Sequence, residues 1–233
     1  MLESTSQSRN LEASSALRRS DASSAANAEP EALPDLLLIE RARSGDPRAI
    51  EALIRRCSRR LFRVAWSVLM DEERSEAAVL EAYLAAFGDL SRYELTGKFA
   101  AWLTRLAYQQ ARALHGAARG GSGAPSGPET TPEAAELERS IAALPEVFRT
   151  VYVLRMVEGV SGIETAASLG LHETTVRTRL YRAHRRLAAD MSQRVQATPG
   201  LLEPPPACTD RIVSRALGRL LQGSMHKNSA SPP

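Results

Sequence analysis

The chain has 233 residues, 43% of them hydrophobic and 24% charged, with a formal net charge of +3. That apolar content suffices for one or two domains with real cores, and a charge so mild leaves local clustering to decide whether a polyanion is bound. The two cysteines, Cys57 and Cys208, lie far apart, which excludes a disulfide framework and a cysteine-based zinc site. No apolar run reaches membrane-spanning length and no signal-peptide core is visible, so a soluble, reduced, cytoplasmic protein is expected.

Residues 1–33 are rich in Ser, Ala and Glu and lack periodicity. They cannot bury enough apolar surface to offset ordering, so a disordered arm is expected. From Pro34 the pattern turns helical. A short helix ends at Gly45. A long one follows over 46–70, with Asp46 as cap and Pro47 in the first turn, where a missing N–H costs nothing. Ile50, Leu53, Ile54, Cys57, Leu61, Val64, Ala65 and Val68 form its stripe, and Cys57 reads as a core residue. A third helix covers 73–90, with Val79, Tyr83, Ala86 and Leu90 on one side. A fourth covers 98–114, with Phe99, Trp102, Leu103, Leu106 and Ala107. These faces suit one four-helix lobe over 34–115. No alternating strand pattern occurs.

Residues 116–132, dominated by Gly, Ser and Pro, read as a flexible linker. A coil of roughly 17 residues averages about 20–25 Å end to end. A second lobe over 133–191 begins with helices at Pro132–Leu144 and Pro145–Glu158. The tail, 192–233, is irregular apart from one amphipathic segment in which Ile212, Val213, Ala216, Leu217, Leu220 and Leu221 share a face.

Between the second lobe's first helices and the tail lies "SGIETAASLGLHETTVRTRLYRAHRRL". Gly170 separates two helical segments. Ile163, Ala166, Ala167 and Leu169 on the first are placed for burial. On the second, Val176, Leu180, Ala183 and Leu187 recur at intervals of four, three and four, making an inward face. Thr174 and Thr175 stand near its N-terminus, and Arg177, Arg179, Arg182, Arg185 and Arg186 take much of the rest, with no acid from Thr174 to Leu187. Two readings fit: a solvated basic helix of a bundle, or a helix-turn-helix whose second helix enters the major groove. In the second, Arg offers bidentate donors to guanine or pairs with phosphate, and Thr hydroxyls reach base edges.

The stretch "LPEVFRTVYVLRMVEGVSGIETAASLGLHETTVRTRLYRAHRRL" resembles the C-terminal promoter-binding domain of bacterial sigma factors of the extracytoplasmic-function type. "LIERARSGDPRAIEALIRR" and "KFAAWLTRLAYQQAR" resemble segments of that family's N-terminal domain. The resemblance covers about residues 36–115 and 133–190. It implies an all-α fold, with an N-terminal four-helix lobe and a C-terminal helix-turn-helix lobe joined by a flexible linker. It also implies a non-enzymatic subunit that takes RNA polymerase to promoters. Core RNA polymerase and promoter DNA are the implied partners, with room for an anti-sigma factor and no membrane span.

The implied groove contacts to the −35 element fall on Arg177, Thr178, Tyr181 and Arg182. Arg179, Arg185 and Arg186 are placed at phosphates or solvent, and Thr174 and Thr175 at base edges or backbone. For the −10 element the positions are Arg92, Tyr93 and Lys98, in a loop that is equally readable as a plain turn, and Gln109. Phe99 and Trp102 fit either a core or a base-stacking role. For core polymerase they are Glu76, Val79, Leu80, Glu81 and Tyr83. Ala77 and Leu80 replace a usual acid–Gln pair, and Gln109 and Ala113 a usual Asn and Asp. These departures imply weakened core binding and −10 recognition, and keep open a sigma-derived DNA-binding regulator or a helical protein that sequesters a regulator. No cofactor or metal is expected: the histidines at 115, 172, 184 and 226 lack ligand spacing, "GGSGAPSG" lacks a phosphate loop's Lys and Ser/Thr, and no nucleophile–base signature stands out.

Overall fold

A computed structural model describes residues 33–90, 93, 98–117, 132–190, 201–205 and 207–228. Residues 1–32 of the expected disordered arm, all but the ends of the linker, Arg92 and the start of the tail lie outside the described residues, whereas Leu33, the last residue of that expected arm, is described and buried. The fold is all-α, with no strand among the described residues. Its helices are α1 (Asp35–Arg43), α2 (Pro47–Leu69), α3 (Glu72–Gly88), α4 (Phe99–Ala117), α5 (Pro132–Ala143), α6 (Glu146–Tyr152), α7 (Gly162–Leu169), α8 (Glu173–Asp190) and α9 (Cys208–Asn228). The chain divides inside α2 into a small unit, Met1–Ala52, and a large one, Leu53–Pro233.

In the small unit, α1 buries Leu38, Ile39 and Ala42. Gly45, at φ +85°, turns the chain, a conformation open to glycine without steric cost. Asp46 caps α2 through the Arg48 N–H (2.9 Å) and accepts from Arg41 Nε (2.7 Å). Burial alone would raise the Asp46 carboxyl, but these bonds and the Arg41 charge hold it below the usual range.

In the large unit, α2 is buried nearly all round from Leu61 to Leu69, well beyond its expected stripe. Helices on both sides of residues 118–131 cover it. Val64 shares an apolar cluster with Val151, Leu154, Val160, Ala166, Leu169 and Val176, and Tyr108, Leu171 and Leu180 pack against it. Ser67 Oγ donates to Thr150 Oγ1 (3.0 Å). Arg149, buried, donates through Nε to the Ser67 carbonyl (2.6 Å) and through Nη1 to the carbonyls of Ala142 (2.6 Å) and Leu144 (3.1 Å). It thereby satisfies the chain end of α5, whose carbonyls have no helical donor.

α3 starts at Asp71, whose side chain accepts from the Arg74 N–H (2.8 Å). A ring cluster joins α3 to α4: Tyr93 sits edge-on to Phe99 (centroids 5.2 Å apart) and 5.1 Å from Trp102, and Phe87 faces Tyr83. Phe99 is buried, which places it in the core. The helix expected over 145–158 is α6 followed by one π-turn, Val153–Val157. Beyond α8 an irregular strap, 201–205, buries Leu201 and Leu202 before α9 begins.

Candidate nucleic-acid interface

α7 and α8 form the turn motif. The Ser161 side chain caps α7 by accepting the Glu164 N–H. Gly170 ends it in the left-handed region at φ 65°, and the Leu171 N–H returns to the Ala166 carbonyl (2.9 Å). That is how a chain leaves one helix and starts another within three residues. Gly162 lies against the start of α8: a Cβ there would stand 3.3 Å from the Glu173 carboxylate, so the two helices approach closely.

On α8, Val176, Ala183 and Leu187 are buried and Leu180 is half-buried. At about 100° per residue, Thr174, Arg177, Thr178, Tyr181, Arg182 and Arg185 lie on the opposite arc, and all six are exposed. Tyr181 is 62% exposed, unusual for a ring of its size without a partner. Thr178 Oγ1 donates to the Thr174 carbonyl (2.9 Å), which leaves its lone pairs facing outward. Thr175 and Arg179 are half-buried at the margin. Among the described residues none of Arg177, Arg179, Arg182 and Arg185 pairs with an acid. Arg186 instead lies over the Phe148 ring, 5.4 Å from its centroid. The outcome is an uncompensated cationic face with aromatic and hydroxyl groups on a rigid helix, suited to phosphate and base edges.

The other expected positions are placed differently. Lys98 is exposed, and its Nζ donates to Glu164 of α7 (2.9 Å). Tyr93 is only 4% exposed within the ring cluster. Gln109 is exposed on α4. On α3, Val79 and Tyr83 are fully buried. The Tyr83 hydroxyl donates to the Ile54 carbonyl (2.9 Å) and meets Ser58 (3.1 Å), and burial pushes its pKa well up. Leu80 is 5% exposed and Glu76 likewise. Ala77 and Glu81 stay on the surface. Periodicity could not find Arg63, which is 3% exposed and binds Glu158 (2.6 Å), Glu203 (2.5 Å) and the Leu202 carbonyl (3.1 Å). Arg60 reaches Glu158 (3.5 Å) and Glu164 (3.3 Å) beside it. No helix of the described residues is long and apolar enough to cross a membrane, and they contain no cluster of metal-ligating groups.

Comparison with known proteins fits this arrangement. Residues 134–187 match the family model described as Sigma-70, region 4, a span that includes all of α7 and the exposed basic arc of α8. The chain is similar to the RNA polymerase sigma factor CnrH of Cupriavidus metallidurans, at 30% identity over 66% of this chain and 93% of the relative. It is similar to the RNA polymerase sigma-H factor of Pseudomonas aeruginosa, at 27% identity over 64% of this chain and 89% of the relative. The solved structure of CnrH in complex with the cytosolic domain of CnrY superimposes with a TM-score of 0.53 at 30% identity, covering 66% of this chain and 95% of that one. The fold alone is shared with the sigma factor RpoE of Bartonella quintana, solved with the anti-sigma factor NepR, at 18% identity and a TM-score of 0.50. The chain thus belongs to the RNA polymerase sigma factors of the extracytoplasmic-function type, a family of transcription-initiation factors and not of enzymes.

Proposed function

We propose that this chain binds core RNA polymerase and directs it to promoters through two readers, α8 at the −35 element and α4 with its preceding loop at the −10 element. The observation that carries the reading is the acid-free, exposed arc of Thr174, Arg177, Thr178, Tyr181, Arg182 and Arg185 opposite a buried stripe. Arg177, Thr178, Tyr181 and Arg182 meet bases in the major groove. Thr174, Thr175, Arg179 and Arg185, nearer its rim, meet phosphates. At the −10 element, Lys98, Gln109 and Arg92 contact DNA, and Tyr93 packs in the ring cluster with Phe99 and Trp102. Core polymerase docks on α3, with Glu76, Leu80 and Glu81 at the contact and Val79 and Tyr83 as the packed frame behind them. CnrH and RpoE were solved with CnrY and NepR, and an anti-sigma factor is proposed as a further partner here.

The reading is tested by titrating the chain against core polymerase and running transcripts from a promoter library. Transcripts that share upstream and downstream elements are the expected result. Selective DNA binding without core binding would replace it with a stand-alone DNA-binding regulator, and core binding without promoter-specific transcripts would overturn the two promoter readers.

A further inference from the structure

The acidic face of α3 is occupied within this chain. α9 runs along α3 and buries Cys208, Ile212, Val213 and Ala216. Arg211 of α9 pairs with Glu72 (3.2 Å) and, more closely still, with Glu76. Arg219 pairs with Glu81 (3.0 Å), and Asp210 with Arg55 of α2 (2.7 Å). Arg211 and Arg219 are eight residues apart, about 12 Å along a helix, and Glu72 and Glu81 are nine apart, about 13.5 Å. The cations of one helix therefore repeat along the acids of the other, over a shared apolar strip. The strap that leads into α9 is clamped as well: the Leu202 N–H donates to Glu138 (2.8 Å), and Arg63 Nε donates to the Leu202 carbonyl (3.1 Å).

Glu76 and Glu81 are two of the groups assigned above to the core polymerase contact. One face cannot hold two occupants at once. We propose that α9 is an intramolecular mask over the polymerase-binding face of α3, so that this chain engages core enzyme only when α9 is released. The proposal rests on the core-binding reading given above and names its regulation. The mask lowers apparent affinity by the fraction of chains in which it is open.

Cys208 makes release visible without polymerase. Burial, and then the Glu76 carboxylate beside it, push the Cys208 thiol up, so the docked form holds little of the reactive thiolate. The experiment alkylates the full chain with iodoacetamide, resolves the Cys208 peptide by mass spectrometry, and measures core polymerase affinity in parallel. It compares wild type, Arg211→Glu with Arg219→Glu, and a chain ending at Pro205. The charge-reversed chain should alkylate at Cys208 at least tenfold faster than wild type. Both altered chains should bind core at least tenfold tighter, and saturating core should speed Cys208 alkylation of wild type. Chains that bind core with unchanged affinity when α9 is reversed or removed would overturn the mask and leave the sigma function standing. If Cys208 is released but no form binds core, the core-binding reading itself fails, and the mask with it.

Discussion

On α8, the proposed −35 contact assigns single arginines separable duties according to position. Arg177 and Arg182 sit on the exposed arc proposed to face the groove, where a bidentate contact to guanine would give about 1–3 kcal/mol of discrimination. Replacing either by alanine should relax base preference at one −35 position in a binding-site selection. Arg185→Ala should weaken all sites alike and lower the slope of log affinity against log salt by about one. A second residue-scale prediction concerns Glu138, which is 5% exposed. Burial raises its carboxyl above the usual 4.5, with the Leu202 N–H and the Arg63 charge pulling partly the other way. A carboxyl whose folded pKa is raised binds its proton more tightly folded than unfolded. It therefore adds stability as pH falls through that raised pKa and withdraws it as pH rises. Wild type should gain on Glu138→Gln in urea unfolding as the pH is lowered from neutral toward 4.5. A flat difference would show that Glu138 is already well paired.

At the scale of elements, the turn between α7 and α8 depends on one backbone conformation. A Cβ at Gly170 would meet nothing nearer than Arg105 at 4.0 Å, so substitution there carries backbone cost alone. Gly170→Ala should lose about 1–2 kcal/mol, and Gly170→Asn less, in thermal melts of the whole chain. Helices α1 to α8 were legible because each carries apolar residues at helical spacing, and Asp46, Pro47 and Gly170 punctuate them locally. On α7, however, only Ala166 and Leu169 of the four residues expected inside are buried, while Ile163 and Ala167 are exposed. The inward and outward faces of α8 were legible for the same reason. Arg63, Arg149 and Glu138 were not, because pattern reasoning sorts residues by type and assigns such groups to the surface. Their burial follows from partners 64 to 140 positions away. Tyr93 shows the same limit: its loop position suggested exposure, while rings from α4 enclose it. The pairing of α9 with α3 links residues 135 or more positions apart and has no local signal at all.

At the scale of the molecule, Arg63 is where three stretches of chain meet: α2, the turn after the π-turn at Glu158, and the strap at 202–203. Arg63 and Glu158 have side chains only 4% and 6% exposed. Removing Arg63 leaves the buried Glu158 carboxylate only the more distant Arg60 (3.5 Å), which puts the loss toward the lower end of the about 3–5 kcal/mol that breaking a buried pair costs. Arg63→Met should lose that amount in urea unfolding, and Arg63→Met with Glu158→Leu should recover much of it. A single variant within about 1 kcal/mol of wild type would mean that water reaches the pair. The apolar cluster of Val64 with Val151, Leu154, Val160, Ala166, Leu169 and Val176 has a practical consequence. A recombinant fragment cut before Pro132 to isolate the DNA reader would carry that seam bare on its surface. It should elute from a sizing column above its own mass and scatter light as its concentration rises. A Leu53–Pro233 fragment keeps the seam covered and is the better reagent for footprinting.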